Sequence, residues 1–320
     1  MRVAAYQHGT YPRSEDVVAA TRGLERGRTS PEEVDEAFQA DRADFIQVQK
    51  EANLDYFSDG LIRWQDLFRP LVEATTGLDA RTLVRWFDNN SFFRAPEVTG
   101  ALTLTAPLPS VFQGDQDVPA PRVANLPSPY LFSRAAQGHG DRNTLMMELT
   151  REILRPVAEA LVAHGYELIH LQEPWLPYFG LEPADWDDLE KALMEIRDGI
   201  SSSSAQLVLH TYFGDVGPYA DRLRRLPIDA LGVDFVQTDL AELGTGWDTG
   251  IMAGVLDGRS SPVESTKGTV EFLRRVVETI APPTLFVSSN SELEYLPRDI
   301  AREKVARLGE ISTELKDALV

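Results

Sequence analysis

The chain has 320 residues, no cysteine and a formal net charge of −19 at neutral pH. Without cysteine it can form no disulfide, thiolate metal site or iron–sulfur cluster. The acidic excess opposes binding to nucleic acid or anionic membrane surfaces, and no apolar stretch is long enough to span a bilayer. A hydrophobic content of 43% predicts a real core. We therefore expect a folded, cytoplasmic protein with no nucleic-acid or membrane partner.

Taken in chain order, short apolar runs alternate with amphipathic helical patterns. Ser30, Pro31 and Glu33 form the pattern of a capping box at the start of the second helix. The predicted strands are Arg2–Tyr6, Leu54–Phe57, Arg122–Leu126, Glu167–Leu171, Gln206–His210, Ala230–Asp234, Gly250–Val255 and Thr284–Val287. The predicted helices are Val17–Arg26, Pro31–Glu51, Thr144–Ala163, Pro183–Asp198, Tyr219–Arg225, Asp239–Leu243, Val263–Ala281 and Pro297–Leu319.

An irregular stretch follows the second predicted strand. Residues 61–100 mix helix and loop patterns, and Ala101–Leu108 alternates in the way of an antiparallel strand. Pro107–Pro121 is a proline-rich loop that is either a lid or ordinary surface. We expect an antiparallel or loop excursion around residues 85–121. Eight strands in an α/β alternation of this length predict a single (β/α)8 TIM barrel over residues 1–320, with a doubly wound sheet as the alternative.

Polar residues cluster where the predicted strands end. The run Tyr166–Pro174 ends in Gln172 and Glu173, and Glu is costly to bury without a partner. Glu173 is therefore either a functional carboxylate or a helix cap that fixes the turn. Loops that follow the strands of a barrel meet at one mouth, so we expect His8, His170 and His210 to lie at or beside it.

No common catalytic signature occurs in the sequence. GxSxG, a Walker A loop, GxGxxG after a strand and HExxH are all absent. A metal site built from His8, His210, Glu173 and Asp234 has suitable ligand types, but their spacing in the sequence does not indicate one.

Seven segments, in order along the chain, resemble motifs of one known family. They are HGTYPR (His8–Arg13) beside IGSFPR, GRTSPEEVDEAF (Gly27–Phe38) beside a G-x-IS-x-EE helix start, RWFDNNSFFRAPE (Arg85–Glu97) beside KWFDTNYHYxVPE, LPSPYLF (Leu126–Phe132) beside LPGPxT, IHLQEPWL (Ile169–Leu176) beside IQIDEPAL, VLHTYFGDV (Val208–Val216) beside LLTTYFGD, and VLDGRS (Val255–Ser260) beside VVDGRN. The family is that of the cobalamin-independent methionine synthases, in the superfamily that includes uroporphyrinogen decarboxylase. The resemblance implies a barrel over nearly the whole chain.

The resemblance also implies what is missing. The family's catalytic barrel binds zinc through a His, a Cys, a Glu and a late Cys; in this chain the His falls on Tyr212, the first Cys on Gly214, the Glu near Asp234 and the late Cys on Ser291. Glycine offers no ligand and serine is a poor one for zinc, so these residues cannot rebuild that site. The family's amino-acid-binding Asp is Gln172, and its Glu after the second strand is Leu61. We therefore expect no zinc.

The function implied is methyl transfer without the zinc–thiolate site. The donor would be a reduced folate of the 5-methyltetrahydrofolate type or a methylcorrinoid, with a corrinoid protein as a further partner, and the acceptor a small molecule. Two alternatives stay open: a non-catalytic barrel that binds folate or an amino acid, and a lyase or decarboxylase on the same fold. The oligomeric state is not indicated.

Roles follow from this reading. Glu173, His210 and Asp234 are the expected acid–base residues. The expected substrate-binding residues are His8, Gly9, Thr10, Asp59, Asn89, Gln172, Tyr212, Asn290 and Ser291. Trp86, Phe92 and Trp175 are expected to stack on a pterin, with Tyr11 and Phe93 as further candidates, although each of these rings could instead be core.

Overall fold

The structure, a computed structural model, describes residues 1–113 and 117–319. Its strands are β1 (Arg2–Ala5), β2 (Thr75–Arg85), β3 (Phe92–Leu104), β4 (Arg122–Pro127), β5 (Tyr166–Gln172), β6 (Gln206–Thr211), β7 (Ala230–Asp234), β8 (Gly250–Leu256) and β9 (Thr284–Ser289). Seven of these form one parallel sheet in the order β1, β9, β8, β7, β6, β5, β4. All seven were predicted, to within about two residues at either end, because a parallel strand buried on both faces is a short apolar run.

The eighth predicted strand, Leu54–Phe57, is not a regular strand. It lies between β1 and β4, where Phe57 makes a single isolated bridge to Arg122. The backbone N–H groups of Asp55 and Tyr56 both donate to the carbonyl of Ala5. The Ala5 N–H donates to the Asp55 carboxylate at 2.7 Å, so a side chain accepts the bond that a neighbouring strand would accept. The described sheet is therefore seven-stranded, with this segment between its two edges.

Helices follow most of the strands. They are α1 (Glu15–Glu25), α2 (Pro31–Glu51), α3 (Arg69–Glu73), α4 (Ser110–Gln113), α5 (Pro129–Ala135), α6 (Arg142–Leu149), α7 (Arg155–Ala163), α8 (Trp175–Phe179), α9 (Trp186–Ile200), α10 (Ala220–Leu223), α11 (Leu240–Leu243), α12 (Thr266–Ile280) and α13 (Arg298–Ala318). The capping box of Ser30 and Glu33 starts α2, as predicted. A π-helical turn, Thr150–Leu154, joins α6 to α7. It lies just before Pro156, which has no N–H to continue an α-helical ladder.

The excursion is an antiparallel hairpin that begins earlier than predicted. Strands β2 and β3 pair from Thr75 with Leu104 to Arg85 with Phe92. Most side chains of β2 are at least partly exposed, so the strand lacks the apolar alternation that would have revealed it. The predicted strand Ala101–Leu108 is in part the end of β3.

The proline-rich loop does not close over the mouth in the part that is described. Phe112, in α4, packs on Tyr166 at the start of β5, with 5.8 Å between ring centroids. This places it at the amino end of the sheet, opposite the mouth. Residues 114–116 of the proposed lid lie outside the described residues.

Inside the curved sheet, side chains change from apolar to polar toward the carboxyl ends of the strands. The apolar layer consists of Ala4, Tyr6, Tyr56, Val123, Leu168, Val208, Ala230, Met252 and Phe286. Two residues further along the strands, the buried positions are His8, Ser58, Asn125, His170, His210 and Ser288. The fold thus places a polar layer beneath the mouth. Across the described residues, no helix combines the length and apolar character needed to cross a membrane.

Candidate functional site

The polar strand ends meet as predicted, but they are packed against one another. Tyr212 Oη donates to Gln172 Oε1 at 2.8 Å, and Asn290 Nδ2 donates to Asp234 Oδ1 at 2.9 Å. All four side chains are at most 1% exposed. We call this region, at the ends of β5, β6 and β7 together with Asn290 directly after β9, the packed side of the mouth.

On the packed side, Glu173 caps two helices. Its carboxylate accepts the backbone N–H of Leu131 in α5 at 3.1 Å and that of Leu176 in α8 at 2.9 Å. The Ser128 hydroxyl also donates to it. Burial raises the pKa of Glu173 to about 7, against the opposite effect of these hydrogen bonds. The contacts favour the capping interpretation, and a catalytic role for Glu173 stays a prediction.

Asp234 is held in a similar way. It accepts the N–H groups of Val236 and Phe213, at 3.0 and 3.3 Å, besides the Asn290 amide. Phe213 has a left-handed backbone with φ of 68°, so the carboxylate fixes an otherwise unfavourable turn. Burial raises the pKa of Asp234 to about 6.

The three strand-end histidines form one cluster in the polar layer. The ring centroids of His8 and His170 are 4.5 Å apart, and His210 lies 4.5 and 5.1 Å from the two. Burial lowers the pKa of His8 to about 4 and the pKa of each of the other two well below its usual value. Neutral His210 is therefore a poor proton donor at physiological pH, and its predicted acid–base role stays untested. Among the described residues, the carboxylates of Glu173 and Asp234 do not join this group of possible metal ligands.

An open cleft of about 700 Å³ lies elsewhere at the mouth, between the loop after β1, the hairpin and the loop after β9. We call it the mouth cleft. Its aromatic wall consists of Tyr11, Trp64, Trp86, Phe92 and Phe93. Four of these five rings were candidates for stacking on a pterin. The fifth candidate, Trp175, packs on Phe87 and Phe179 outside the cleft.

Two carboxylates that sequence reasoning missed, Glu292 and Glu294, also line the cleft. Burial, and then repulsion by Glu294, raise the pKa of Glu292 well above its usual value. Burial also raises the pKa of Glu294, partly offset by the nearby Arg13. Gly9 allows the loop after β1 to pass this close, because a Cβ there would lie 2.3 Å from Glu292 Cγ and its φ is +70°. The sequence did contain a signal for them. The run ELEY (Glu292–Tyr295) begins one residue beyond the predicted group of residues after the last strand, which ended at Ser291.

The remaining predicted binding residues divide between the cleft and local structure. Thr10 lines the cleft together with Trp86 and Phe92. Asp59 accepts the Leu61 N–H in a turn. The predicted residues with local hydrogen bonds elsewhere are Asn89, whose amide donates to the Trp86 carbonyl within the hairpin, and Ser291, whose hydroxyl donates to Asn290.

The positions of the family's zinc ligands do not fit that metal. Tyr212 uses its hydroxyl on Gln172, and Ser291 uses its hydroxyl on Asn290. At Gly214 even a Cβ would lie 2.5 Å from the carbonyl of Pro177, so there is no room for a ligating side chain. No step of the chemistry can be assigned to a zinc ion at these positions.

Comparison with known proteins decides the family. A model described as the N-terminal domain of cobalamin-independent synthase matches residues 73–281, about two thirds of the chain. The chain belongs to this family. The resemblance carried by the sequence motifs is thereby confirmed.

Two kinds of relative share this similarity. The methionine synthase of Sulfolobus acidocaldarius is 25% identical over 308 residues, covering 94% of this chain and 88% of that protein. The 5-methyltetrahydropteroyltriglutamate–homocysteine methyltransferase of Neisseria gonorrhoeae is 26% identical over 296 residues, 80% of this chain but 37% of its own length. The chain thus spans little more than a third of the longer relative. The Neisseria relative is a methyltransferase by name and the Sulfolobus relative a methionine synthase, and the chain belongs with them to the methyltransferase class of enzyme.

The fold is shared with a solved structure as well. The B12-independent methionine synthase from Shewanella sp. W3-18-1 superposes with a TM-score of 0.76 at 18% identity, covering 99% of this chain and 98% of that one. At this identity the likeness concerns the fold alone.

Proposed function

We propose that the chain transfers a methyl group from a reduced folate to a small-molecule nucleophile in the mouth cleft. The observation that carries the proposal is the combination of an aromatic wall with the buried carboxyl group of Glu292 and the half-buried one of Glu294 in one open cavity. At about 700 Å³, the cavity falls in the usual size range for small-molecule sites. The proposal places the chemistry beside, rather than within, the packed side.

The donor would bind by stacking. A pterin is flat and aromatic, and such rings prefer offset or edge-to-face contact with aromatic side chains. Trp86 and Phe93 are 6% and 7% exposed and fixed against each other, whereas Phe92 is 49% exposed and free to cover a ligand. The name of the Neisseria relative includes a pteroyltriglutamate methyl donor. For this chain, a reduced folate is the donor class that we propose.

The two carboxyl groups would divide acid and base work, because their surroundings differ. Glu292 is 4% exposed and receives a hydrogen bond from Tyr295, and burial raises its pKa in the direction that favours the protonated form. It would give its proton to the pterin nitrogen as the bond from that nitrogen to the methyl carbon breaks and the electron pair stays on nitrogen. Glu294 is half-buried, and the hydrogen bond from Tyr295 and the charge of Arg13 oppose the rise of its pKa on burial, so we assign it the ionised state. It would take the proton of the acceptor as the new bond to the methyl carbon forms.

The acceptor must be a nucleophile that a carboxylate can help to deprotonate, since the family's zinc positions cannot activate a thiol here. A thiol such as homocysteine, which the Neisseria relative's name includes, is the first acceptor to test.

The experiment is a titration followed by turnover. Trp64 and Trp86 line the cleft, so intrinsic fluorescence should report the binding of 5-methyltetrahydrofolate. Donor labelled in its methyl group is then incubated with the protein and a panel of thiols and amines. Labelled product, formed at a rate proportional to enzyme concentration, is expected. Failure of the folate to bind would overturn the proposal, and transfer only from a methylcorrinoid would replace the donor.

A second candidate is a binding protein without chemistry. It is favoured by the match to the family's N-terminal domain and by the lost zinc ligands. Saturable folate binding with no label leaving the donor, across the whole acceptor panel, would support it over methyl transfer.

A further inference from the structure

The polar layer beneath the mouth contains an arrangement that the proposed chemistry does not use. His8, His170 and His210 come from the ends of β1, β5 and β6, and none of the three side chains is exposed. One ring nitrogen from each lies within 4.8 Å of the other two. We propose that these three imidazoles bind one divalent cation of the zinc type inside the barrel.

Within the described part of the chain, the hydrogen bonds of the rings leave at least one nitrogen of each histidine without a partner. His8 Nε2 lies 3.1 Å from the Ser289 carbonyl, which can only accept, so this nitrogen carries the proton. His8 Nδ1 then bears the lone pair, and it has no partner. His170 Nδ1 lies 2.9 Å from the Tyr6 hydroxyl, and its Nε2 has no partner. Metal-binding histidines commonly have this outer partner, which fixes the ring and its tautomer.

His210 makes the strongest contrast with an ordinary core histidine. Among the described residues, neither of its ring nitrogens makes a hydrogen bond of normal geometry, although the side chain is fully buried and the Asn290 backbone lies close by. Each buried polar atom left unpaired costs about 1–3 kcal/mol. A shared cation would satisfy one nitrogen on each of the three rings at once.

A glycine on the neighbouring strand makes room for the His210 ring. Gly232 pairs with His210 across β6 and β7, and a Cβ at that position would lie 2.5 Å from His210 Cδ2. A glycine inside a strand is otherwise unfavourable and marks a close approach. The close approach here is that of the imidazole.

The geometry and ligand type point to the class of metal. Three nitrogens bound tetrahedrally at about 2.0–2.1 Å from a zinc ion would be roughly 3.3 Å apart. The nitrogens, which lie within 4.8 Å of one another, must therefore approach by up to about 1.5 Å, and the stacked rings of His8 and His170 must turn toward the ion. Imidazole nitrogen suits Zn²⁺ and its neighbours in the transition series, whereas Mg²⁺ and Ca²⁺ prefer oxygen ligands.

The site is distinct from the family's zinc site, whose positions are Tyr212, Gly214, Asp234 and Ser291 here. The segments HGTYPR, IHLQEPWL and VLHTYFGDV carry the three histidines where the motifs that they resemble have Ile, Gln and Thr. The inference also replaces the expectation of a protein without zinc. Because the cluster is enclosed, loading would accompany folding.

The test is to produce the full chain in zinc-supplemented medium and to measure its metal content after gel filtration, together with its thermal unfolding. About one zinc per chain is expected. X-ray absorption spectroscopy at the zinc edge should show only nitrogen or oxygen ligands. Zinc-loaded protein should melt about 5 °C above protein refolded in the presence of a chelator. Protein that contains no zinc, and whose melting temperature is the same with and without zinc at refolding, would overturn the proposal.

Substitutions of histidines inside and outside the cluster test where the ion binds. His170→Gln and His210→Gln should each weaken zinc binding by about a hundredfold or more, with circular dichroism confirming that the variants fold. His139→Gln, on a surface loop, removes one histidine without touching the cluster and should keep the zinc. If His139→Gln loses the metal, or if both cluster variants retain it, the site is not this one. Should both cluster variants fail to fold, cobalt absorption of the wild-type chain decides: visible bands of a four- or five-coordinate nitrogen site support the proposal, and an aqua-ion spectrum contradicts it.

Discussion

The two sides of the mouth both carry carboxylates just after a strand, but these carboxylates are capped by the fold on one side and line an open cavity on the other. On the packed side, Glu173 and Asp234 follow β5 and β7 and each accept several hydrogen bonds within the fold. At the mouth cleft, Glu292 and Glu294 follow β9 and line an open cavity. The strand ends are equivalent in the topology, so the difference arises from the loops.

The loops on the packed side are short helical turns that begin at the strand ends. Their free N–H groups point at the nearest carboxylate, which becomes a cap. At the cleft, the loop after β1 packs against Glu292 through Gly9, and the two glutamates receive side-chain hydrogen bonds, chiefly from Tyr295, in place of the N–H groups of a helical turn. A carboxyl group in that position keeps its raised pKa available for chemistry, whereas a cap uses its oxygens to hold the structure.

The largest predicted effect, and the strongest test of the difference between the two sides, is that of substituting Glu292. Glu292→Gln removes the proposed proton donor from the cleft, and we expect turnover to fall by about a thousandfold. The folate Kd, measured by fluorescence, should change much less. Glu303→Gln, which changes an exposed glutamate on α13, is the control. Unchanged turnover in Glu292→Gln would remove the cleft from the mechanism.

On the packed side, Asp234 should make stability depend on pH. Its pKa is raised from 3.8 to about 6 in the folded chain, so the folded state retains a proton that the unfolded state has lost. Stability due to this group is full below pH 4 and declines as the pH rises to 6, by about 3 kcal/mol. Urea unfolding at pH 4 and pH 7 should show this decline in the wild type and not in Asp234→Asn. Asp239→Asn, an exposed helix cap, controls for charge, and parallel curves for wild type and Asp234→Asn would contradict the assignment.

Glu173→Ala separates a cap from a catalyst. The substitution leaves the N–H groups of Leu131 and Leu176 without their acceptor, and we expect the free energy of unfolding to fall by about 2 kcal/mol. The turnover of the folded variant should stay within about tenfold of wild type. Glu190→Ala, on an exposed face of α9, is the matched control. A loss of turnover by orders of magnitude at unchanged stability would instead support the catalytic role that the sequence suggested.

The smallest effect concerns the wall of the cleft. Phe92→Ala removes an exposed ring, and we expect the KM for the folate to rise about tenfold with little change in stability. Leu83→Ala changes a residue of similar exposure on the other strand of the hairpin, outside the cleft. Equal KM values for the two variants would mean that the pterin does not stack there.

The sequence predicted the parts of the molecule that depend on local pattern. Strands such as β6 and β9 are apolar runs, and the capping box at Ser30 is a four-residue signal. The meeting of His8, His170 and His210 followed from their common place at the strand ends.

The features that the sequence could not predict depend on contacts between residues that are distant along the chain. The acceptor role of Glu173 is decided by N–H groups from two different loops. The carboxyls of the cleft become a site only because the hairpin stands beside them, and β2 gives no apolar signal of its own. No periodicity in the chain records that arrangement.

The place where the two edges of the sheet meet has a consequence for how the fold comes apart. The Asp55 carboxylate accepts the amide of Ala5 and the ammonium group of Lys316 near the end of α13, at 2.7–2.8 Å. Elsewhere in the sheet, neighbouring strands are joined by ladders of backbone hydrogen bonds, which salt does not weaken. Here the backbone bonds from Asp55 and Tyr56 to Ala5 are supplemented by one partly exposed ion pair between Asp55 and Lys316, so concentrated salt should weaken the hold on the first strand at this side before it affects the rest of the sheet.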